Sequence, residues 1–393
     1  MNAIKRAESM FEQLRYWRRY IHAHPELSFN ERKTSAFVVQ ELKQLEQLDI
    51  KENVGGYGVV ATLTSGRGPV LAIRADMDAL PIQEENVHDF ISMNDGIMHA
   101  CGHDAHTAIL LGTAHLLHEQ FVNGELEGTV KFIFQPAEEA TDDYGLSGAP
   151  YMIKEGVLDD VDQVIALHAC PWQPAGVIQM NHGFSMANVD VFQTTIRGWG
   201  GHGGYPHLAT DPLWMLGNIL PAFYGISGRR ISPLDTVAAS IGKIQSGTAS
   251  NIIPSEVYVE GTLRSYTPAA RYQLAEEVEN IFKMSESLGG SSEFYLERGE
   301  PALNNDSDVN AMIEQAVKRI DSNLHIHWSP FGMGGEDFGY MTEKVPGAMF
   351  FLGCAVDDGV DRDLHTSVFD VDEQCLPIGV GIFVETANNF LNT

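Results

Sequence analysis

Short, almost continuously apolar runs recur along the chain at Val70–Ile73, Val130–Phe134, Val164–Leu167 and Ala348–Leu352. Runs without alternation suit strands covered on both faces, as in a mostly parallel sheet between helical layers. Ahead of them, Phe11, Leu14, Trp17 and Ile21 fall at helical spacing, and Ser28-Phe29-Asn30-Glu31 reads as a capping box that opens a second helix. Between about Ala187 and Glu300 the pattern changes to alternation, as in Val189, Val191 and Thr195 and again in Val257, Val259 and Thr262. Asp211-Pro212 predicts a helix start, with aspartate as cap and proline at the first helical position, and another helix is predicted over Ala269–Leu288. The resulting order, β-α-β-β-α-β, is that of a ferredoxin-like domain. The expected architecture is therefore α/β: a discontinuous catalytic domain of residues 1–186 and 301–393 with a mostly parallel central sheet, and an inserted lid of residues 187–300.

A chain of 393 residues, 44% of them hydrophobic, can bury more than one core, which agrees with two domains. Its formal net charge of -28 argues against nucleic acid or an anionic membrane surface as partner, and favours a small molecule. No stretch reads as a membrane span or as a cleavable leader, so a cytoplasmic location is expected. Cys101, Cys170, Cys354 and Cys375 are too few and too scattered to form a disulfide framework, and reduced thiols are expected.

Each apolar run ends in polar or reactive residues: Asp76 and Asp78, Gln135 to Glu139, His168, and Gly353 with Cys354. Ligands of open α/β sheets bind beyond the carboxyl ends of the strands, so these residues are expected to meet. His99-Ala-Cys101-Gly-His103-Asp-Ala-His106 concentrates imidazole and thiol, which are ligands for zinc and its neighbours, just before an apolar helical stretch. The adjacent carboxylates of Glu138 and Glu139 would repel each other unless a cation separates their roles, one as ligand and one as base. Taken singly, Cys101 is equally a small core residue, Glu138-Glu139 a solvated turn, and His168 or His365 a structural histidine. Their convergence is what favours a metal site.

The ordered strings HAHPELSF, RADMDALPIQE, HACGHDAHTA, FQPAEE, GGHGGYPH, GTASNIIP, GTLR, GGEDF and LHT, spread from His22 to His365, resemble the aminoacylase and carboxypeptidase G class of metallopeptidases. The closest branch is that of hippurate hydrolases and indole-acetyl amino acid hydrolases. The resemblance implies a dinuclear site with two divalent ions, Mn2+ or Zn2+ with Co2+ or Ni2+ as further candidates. By motif match it implies Cys101, His103, Glu139, His168 and His365 as ligands and Glu138 as general base. It also implies His202 as oxyanion donor, commonly in the partner subunit's site, Asn251 and Arg264 as holders of the substrate carboxylate, and a homodimer through the lid or a tetramer of such dimers. Many relatives carry His-x-Asp where this chain has Asp76 and Asp78. His103 is expected to replace the missing histidine, with Asp78 orienting a ligand from behind and Asp76 unassigned. Glu336 or Asp337 is expected to be structural or to sit behind the ligands. The lid motif has Gly203 and Gly204 where alanines are frequent, and the segment Ala140–Gly148 departs from the short glycine-rich turn of many relatives.

The expected activity is metal-dependent hydrolysis of the amide of an N-acyl-L-amino acid, such as an N-acetyl or N-benzoyl derivative. The alternative is a dipeptidase or aminopeptidase on the same metals, and a more remote one is a non-catalytic binding protein of the same fold. A serine nucleophile is not expected without a GxSxG elbow, nor a zinc deaminase without a PCxxC element.

Overall fold

The computed structural model describes residues 2–392, which fall into two units: residues 2–183, 304–331 and 337–392 form one, and residues 184–303 with 332–336 form the other. In the first, the four apolar runs become the centre of an eight-stranded sheet. Val70–Asp76 runs parallel to both Thr129–Gln135 and Gln163–Pro174, and Gly347–Ala355 runs parallel to Gln163–Pro174. Antiparallel strands Asp49–Val54 and Gly58–Thr64 extend one edge, and Val177–Met180 with His325–Trp328 the other. The parallel centre follows from burial: from Ile165 to Leu167 and from Ala348 to Leu352 every side chain is enclosed, which requires a layer on each face.

The helix His103–Val122 supplies much of one layer. It is buried nearly all round, and Phe11–Ala23 and Cys375–Leu391 pack against it. Contact there is close enough that a Cβ at Gly112 would come within 2.5 Å of Leu14 Cδ2. Because the central strands are parallel, their carboxyl ends share one rim of the sheet, and the start of His103–Val122 is tied to that rim by the bond from Thr107 Oγ1 to the Asp76 carbonyl, 2.7 Å.

The second unit holds a four-stranded antiparallel sheet in the order Val237–Ser246, Glu256–Ser265, Asn188–Arg197, Ser291–Arg298. With helices Pro212–Arg229 and Pro268–Phe282 this is the ferredoxin-like arrangement. Asp211 caps its helix as the sequence predicts, accepting from the backbone N–H of Leu213 at 2.8 Å. The second helix stops at Phe282 and resumes for one turn at Met284–Ser287, so the single helix expected to Leu288 is broken.

The capping box at Ser28–Glu31 does not form. The helix begins at Arg32 with no side-chain cap from Glu31, and Phe29 just before it sits at a left-handed φ of 62°. Ser28 Oγ instead donates to Asp78 Oδ2 at 2.6 Å, and Glu31 Oε1 accepts from the N–H groups of Phe29 and Ala137 at 2.9 and 2.7 Å. The orphan N–H groups of the helix, those of Lys33 and Thr34, are taken by Glu26 Oε2 at 2.7 and 2.9 Å. A carboxylate there also meets the positive end of the helix dipole. Glu26→Ala is therefore expected to lower stability by about 1 kcal/mol, read as a shift in the urea midpoint at unchanged slope.

Candidate metal centre

The strand ends and the start of His103–Val122 bring the expected ligands together in overlapping sets. Cys101, His103 and His168 form one group whose donor atoms lie within 4.8 Å of one another; Cys101, Glu139 and His365 form a second; His103, Glu138 and Glu139 form a third. Cys101 Sγ lies 3.4 Å from His168 Nε2, and Glu139 Oε1 lies 3.6 Å from His103 Nε2 and 3.4 Å from His365 Nε2.

Backbone carbonyls fix the tautomers. His103 Nδ1 donates to the Asp78 carbonyl at 2.9 Å and His168 Nδ1 to the Ala169 carbonyl at 2.8 Å, which leaves each Nε2 lone pair turned toward the group. Asp78 stands behind two members of the set: Oδ2 accepts from the Glu139 N–H at 2.9 Å, and Oδ1 is 3.3 Å from His103 Nδ1.

The chemistry of this donor set fits a divalent cation. His103 Nε2 and Glu139 Oε1 are buried yet make no hydrogen bond, an arrangement that costs stability unless another partner is supplied. Burial, with the carboxylates of Glu139 and Glu138, pushes the Cys101 thiol well above its ordinary range. Burial works against a charge on His103, but Asp76 and Asp78 beside it carry its imidazole up to about 10. The cluster thus binds positive charge wherever a proton can sit, and a cation satisfies the same field while converting Cys101 to thiolate.

Not every histidine of the motif takes part. His106 spends both nitrogens, Nδ1 on Asp76 Oδ1 at 2.6 Å and Nε2 as acceptor from the Ala169 N–H at 2.8 Å. His99 is buried apart from these three groups.

Asp76, for which the sequence offers no role, is the hub that holds His106. Its other oxygen receives Arg74 Nη1 at 2.6 Å, and Arg74 also donates to Gln135 Oε1 at 2.9 Å and to Asp337 Oδ1 at 2.8 Å. Asp337 further accepts from Ser147 Oγ at 2.6 Å and from the Ala149 N–H at 3.1 Å, a structural position rather than a ligating one. Arg74 was missed because it lies at the end of an apolar run; an arginine inside a buried strand is itself a signal of paired carboxylates. Glu31 was missed because a capping box and a turn clamp use the same residue types.

In the second unit a short antiparallel ladder pairing Ile252 with His202 draws Asn251 and His202 together, and the Asn251 carbonyl accepts from the Gly203 N–H at 2.8 Å. His202 Nδ1 accepts from the Gly204 N–H at 3.0 Å, so the ring proton sits on Nε2, which is free to donate. Both residues line a cleft of about 790 Å³ with Gly200, Gln245 and Tyr258. Arg264 is not part of it. It lies near the far end of Glu256–Ser265, with Nε bonded to Thr262 Oγ1 at 3.1 Å.

A thiol, imidazoles and carboxylates gathered at the carboxyl ends of a buried sheet define a candidate metal site. The chain belongs to peptidase family M20/M25/M40, whose model matches residues 72–389. It is 39% identical over 382 residues to an N-acetylcysteine deacetylase of Bacillus subtilis (strain 168), covering 96% of each chain. It is 40% identical over 294 residues to an N-acyl-L-amino acid amidohydrolase of Geobacillus stearothermophilus, covering 74% of this chain and 77% of the relative. A crystal structure described as a dinuclear metal-binding peptidase of the M20 family, YXEP of Bacillus subtilis, superposes with a TM-score of 0.85 at 34% identity, covering 98% of this chain and 99% of that one. The chain is accordingly an enzyme, a metal-dependent amidohydrolase, and binds divalent metal.

Glu31 gives a test of how the carboxylate turn is held. Glu31→Ala removes the acceptor that fixes Ala137, one residue before Glu138, and is expected to lower turnover by roughly 10²-fold through misplacement, whereas Glu31→Gln keeps a carbonyl acceptor and stays near wild type. Burial and the nearby charge of Asp78 push the Glu31 carboxyl up to about 8 from an ordinary 4.5. Across that interval the folded chain holds a proton that the unfolded chain has released, so this group makes stability fall as pH rises from 4.5 toward 8. Denaturation of the Gln variant over that range should show a flatter pH dependence; an unchanged slope would remove Glu31 as the source.

Proposed function

We propose that the enzyme hydrolyses the amide bond of N-acyl-L-amino acids, releasing the free amino acid. The observation that carries the reading is Glu139 Oε1, buried without a hydrogen bond between His103 and His365, with Glu138 in the same group. That pattern suits one carboxylate that would hold metal beside a second carboxylate that stays a base.

In this reading Cys101, His103, Glu139, His168 and His365 hold two divalent ions, Mn2+ or Zn2+, with Co2+ and Ni2+ also suited to the donors. When bound, the ions supply Lewis acidity, polarising the amide carbonyl and lowering the pKa of water. Glu138 takes the proton from the attacking water and returns it to the departing nitrogen. His202 Nε2–H donates to the oxyanion as it develops. Arg264 and Asn251 hold the free carboxylate, for which a guanidinium fork is well shaped. Cys101 serves as a ligand and not as a nucleophile, so no acyl-enzyme forms.

The reading includes a homodimer through the lid, and dimers could pair into tetramers. Asn251 lies in the turn before the strand Glu256–Ser265 and Arg264 near the far end of that strand, and the eight residue steps of strand from Glu256 to Arg264 span about 27 Å, longer than an N-acyl amino acid. Two lids serving two sites remove the conflict, with His202 and Asn251 acting in the partner subunit and Arg264 in its own. Support comes from Val237–Ser246, which forms an edge of the lid sheet, and from exposed Leu213, Trp214 and Tyr224 on the neighbouring helix. The enzyme is taken as cytoplasmic and as acting on small molecules, in keeping with its net charge of -28 and with the lack of any described helix able to cross a membrane.

Chelated enzyme should release amino acid from N-acetyl or N-benzoyl amino acids only after manganese or zinc is restored. Turnover of dipeptides alone would move the assignment to a peptidase, and no turnover across such a panel would sink the hydrolytic reading. Glu138→Gln should lower kcat by about 10²- to 10⁴-fold at an unchanged metal content by mass spectrometry; loss of metal would mean that the two glutamates exchange roles. Arg264→Ala should raise KM for acids by roughly 10- to 100-fold, the scale of a hydrogen bond to a charged group, and leave KM for the corresponding amides nearly unchanged.

A further inference from the structure

Residues 81–99 contain no helix and no strand beyond the single bridge from Leu80 to Met98. Stretches of this length without structure of their own are uncommon in compact units unless something holds them. Much of this one is organised around Glu84. Its Oε2 accepts from the Ser92 N–H at 2.6 Å, and its Oε1 accepts from Asn86 Nδ2 at 3.1 Å. The same Oε1 lies 3.1 Å from His22 Nε2 and 3.4 Å from His88 Nε2. The side chains of His22 and Glu84 are 0% and 2% exposed, and that of His88 is 16% exposed.

We propose that His22, Glu84 and His88 form a third divalent-cation site, separate from the paired centre, that takes zinc and pins the irregular segment to the helix Phe11–Ala23. Tetrahedral zinc with ligands at about 2.0–2.2 Å holds neighbouring ligand atoms roughly 3.3–3.5 Å apart; the His88 separation of 3.4 Å falls in that range and the His22 separation of 3.1 Å just short of it. Two imidazoles and a carboxylate are a zinc donor set that leaves a fourth position for water. Behind His22, Nδ1 faces Asp104 Oδ2 at 2.8 Å, the outer carboxylate that commonly fixes a ligating histidine with its other nitrogen toward the metal. His88 is held in orientation by stacking on Phe90, with ring centroids 3.7 Å apart.

A proton on His22 would also bridge Asp104 and Glu84. It does not explain His88, both of whose ring nitrogens are shielded from solvent with no hydrogen-bond partner. A cation satisfies Nε2 of both histidines at once. The surrounding charge agrees: Asp104, Asp370 and Glu373 face the guanidiniums of Arg18 and Arg19, while Glu84 faces the two histidines, so these four carboxylates exceed the two guanidiniums by two negative charges when both histidines are neutral.

The test is a metal count on the full-length chain, loaded with excess zinc, desalted and measured by mass spectrometry for zinc per chain. His88→Ala should carry one zinc fewer than wild type while its amidohydrolase kcat stays within twofold. Hydrogen exchange gives a second reading on the unaltered protein: zinc should protect amides of residues 84–92 in wild type and not in His88→Ala. The same zinc count in both proteins, or zinc protection that is the same in both, overturns the proposal.

Discussion

Negative charge crowded at the carboxyl ends of a buried sheet is the constraint on which the rest of this enzyme depends. Asp76, Asp78, Glu138 and Glu139 converge where water is largely excluded, and like charges cannot share such a place without positive partners. The protein neutralises one of them itself: Arg74 and His106 both bond to Asp76. Asp78 is spent on Ser28 and on the Glu139 N–H. Glu138 and Glu139 are left beside the Cys101 thiol and three imidazoles, and that residue of charge is what divalent metal answers.

The same constraint explains why the surrounding backbone is irregular. Ala137 and His365 adopt left-handed φ values of 49° and 60°, both unusual for residues with a side chain. Each is anchored from outside its own segment, Ala137 by Glu31 and His365 by the bond from its N–H to the Ala100 carbonyl at 2.8 Å. The strained turns bring Glu138 and Glu139 to the buried Cys101 and His103, and His365 to Glu139 from the exposed side.

Much of this was legible in the sequence, and the parts that were not share a cause. The apolar runs announced the central strands because burial on both faces leaves no polar position to hide them, and their ends announced the site because parallel strands finish on one rim. The alternating stretch likewise announced the ferredoxin-like sheet. Ser28 and Glu31 were misread because a serine three residues before a glutamate is the same pattern whether it caps a helix or braces a distant turn; only the left-handed Phe29 decides between them. Asp76 lacked an assignment because its partners are Arg74, two residues away on the same strand, and His106, one helical turn beyond His103. Local spacing shows residue types, whereas partnership across a sheet appears only once the strands are in register.

That partnership also separates what holds the site together from what completes it. His103 is fixed by the Asp78 carbonyl, His168 by the Ala169 carbonyl, Glu139 by Asp78 and His365 by Ala100. None of these bonds involves a donor atom of the proposed ligand set, and the surrounding core of Ile73, Phe134, Leu167 and Leu352 is closed without reference to a metal. Small metal-dependent folds use their ion to gather ligands that are otherwise dispersed. Here the proposed ligands are already gathered by backbone acceptors and side-chain clamps, so a cation would act mainly against electrostatic repulsion rather than to assemble the site.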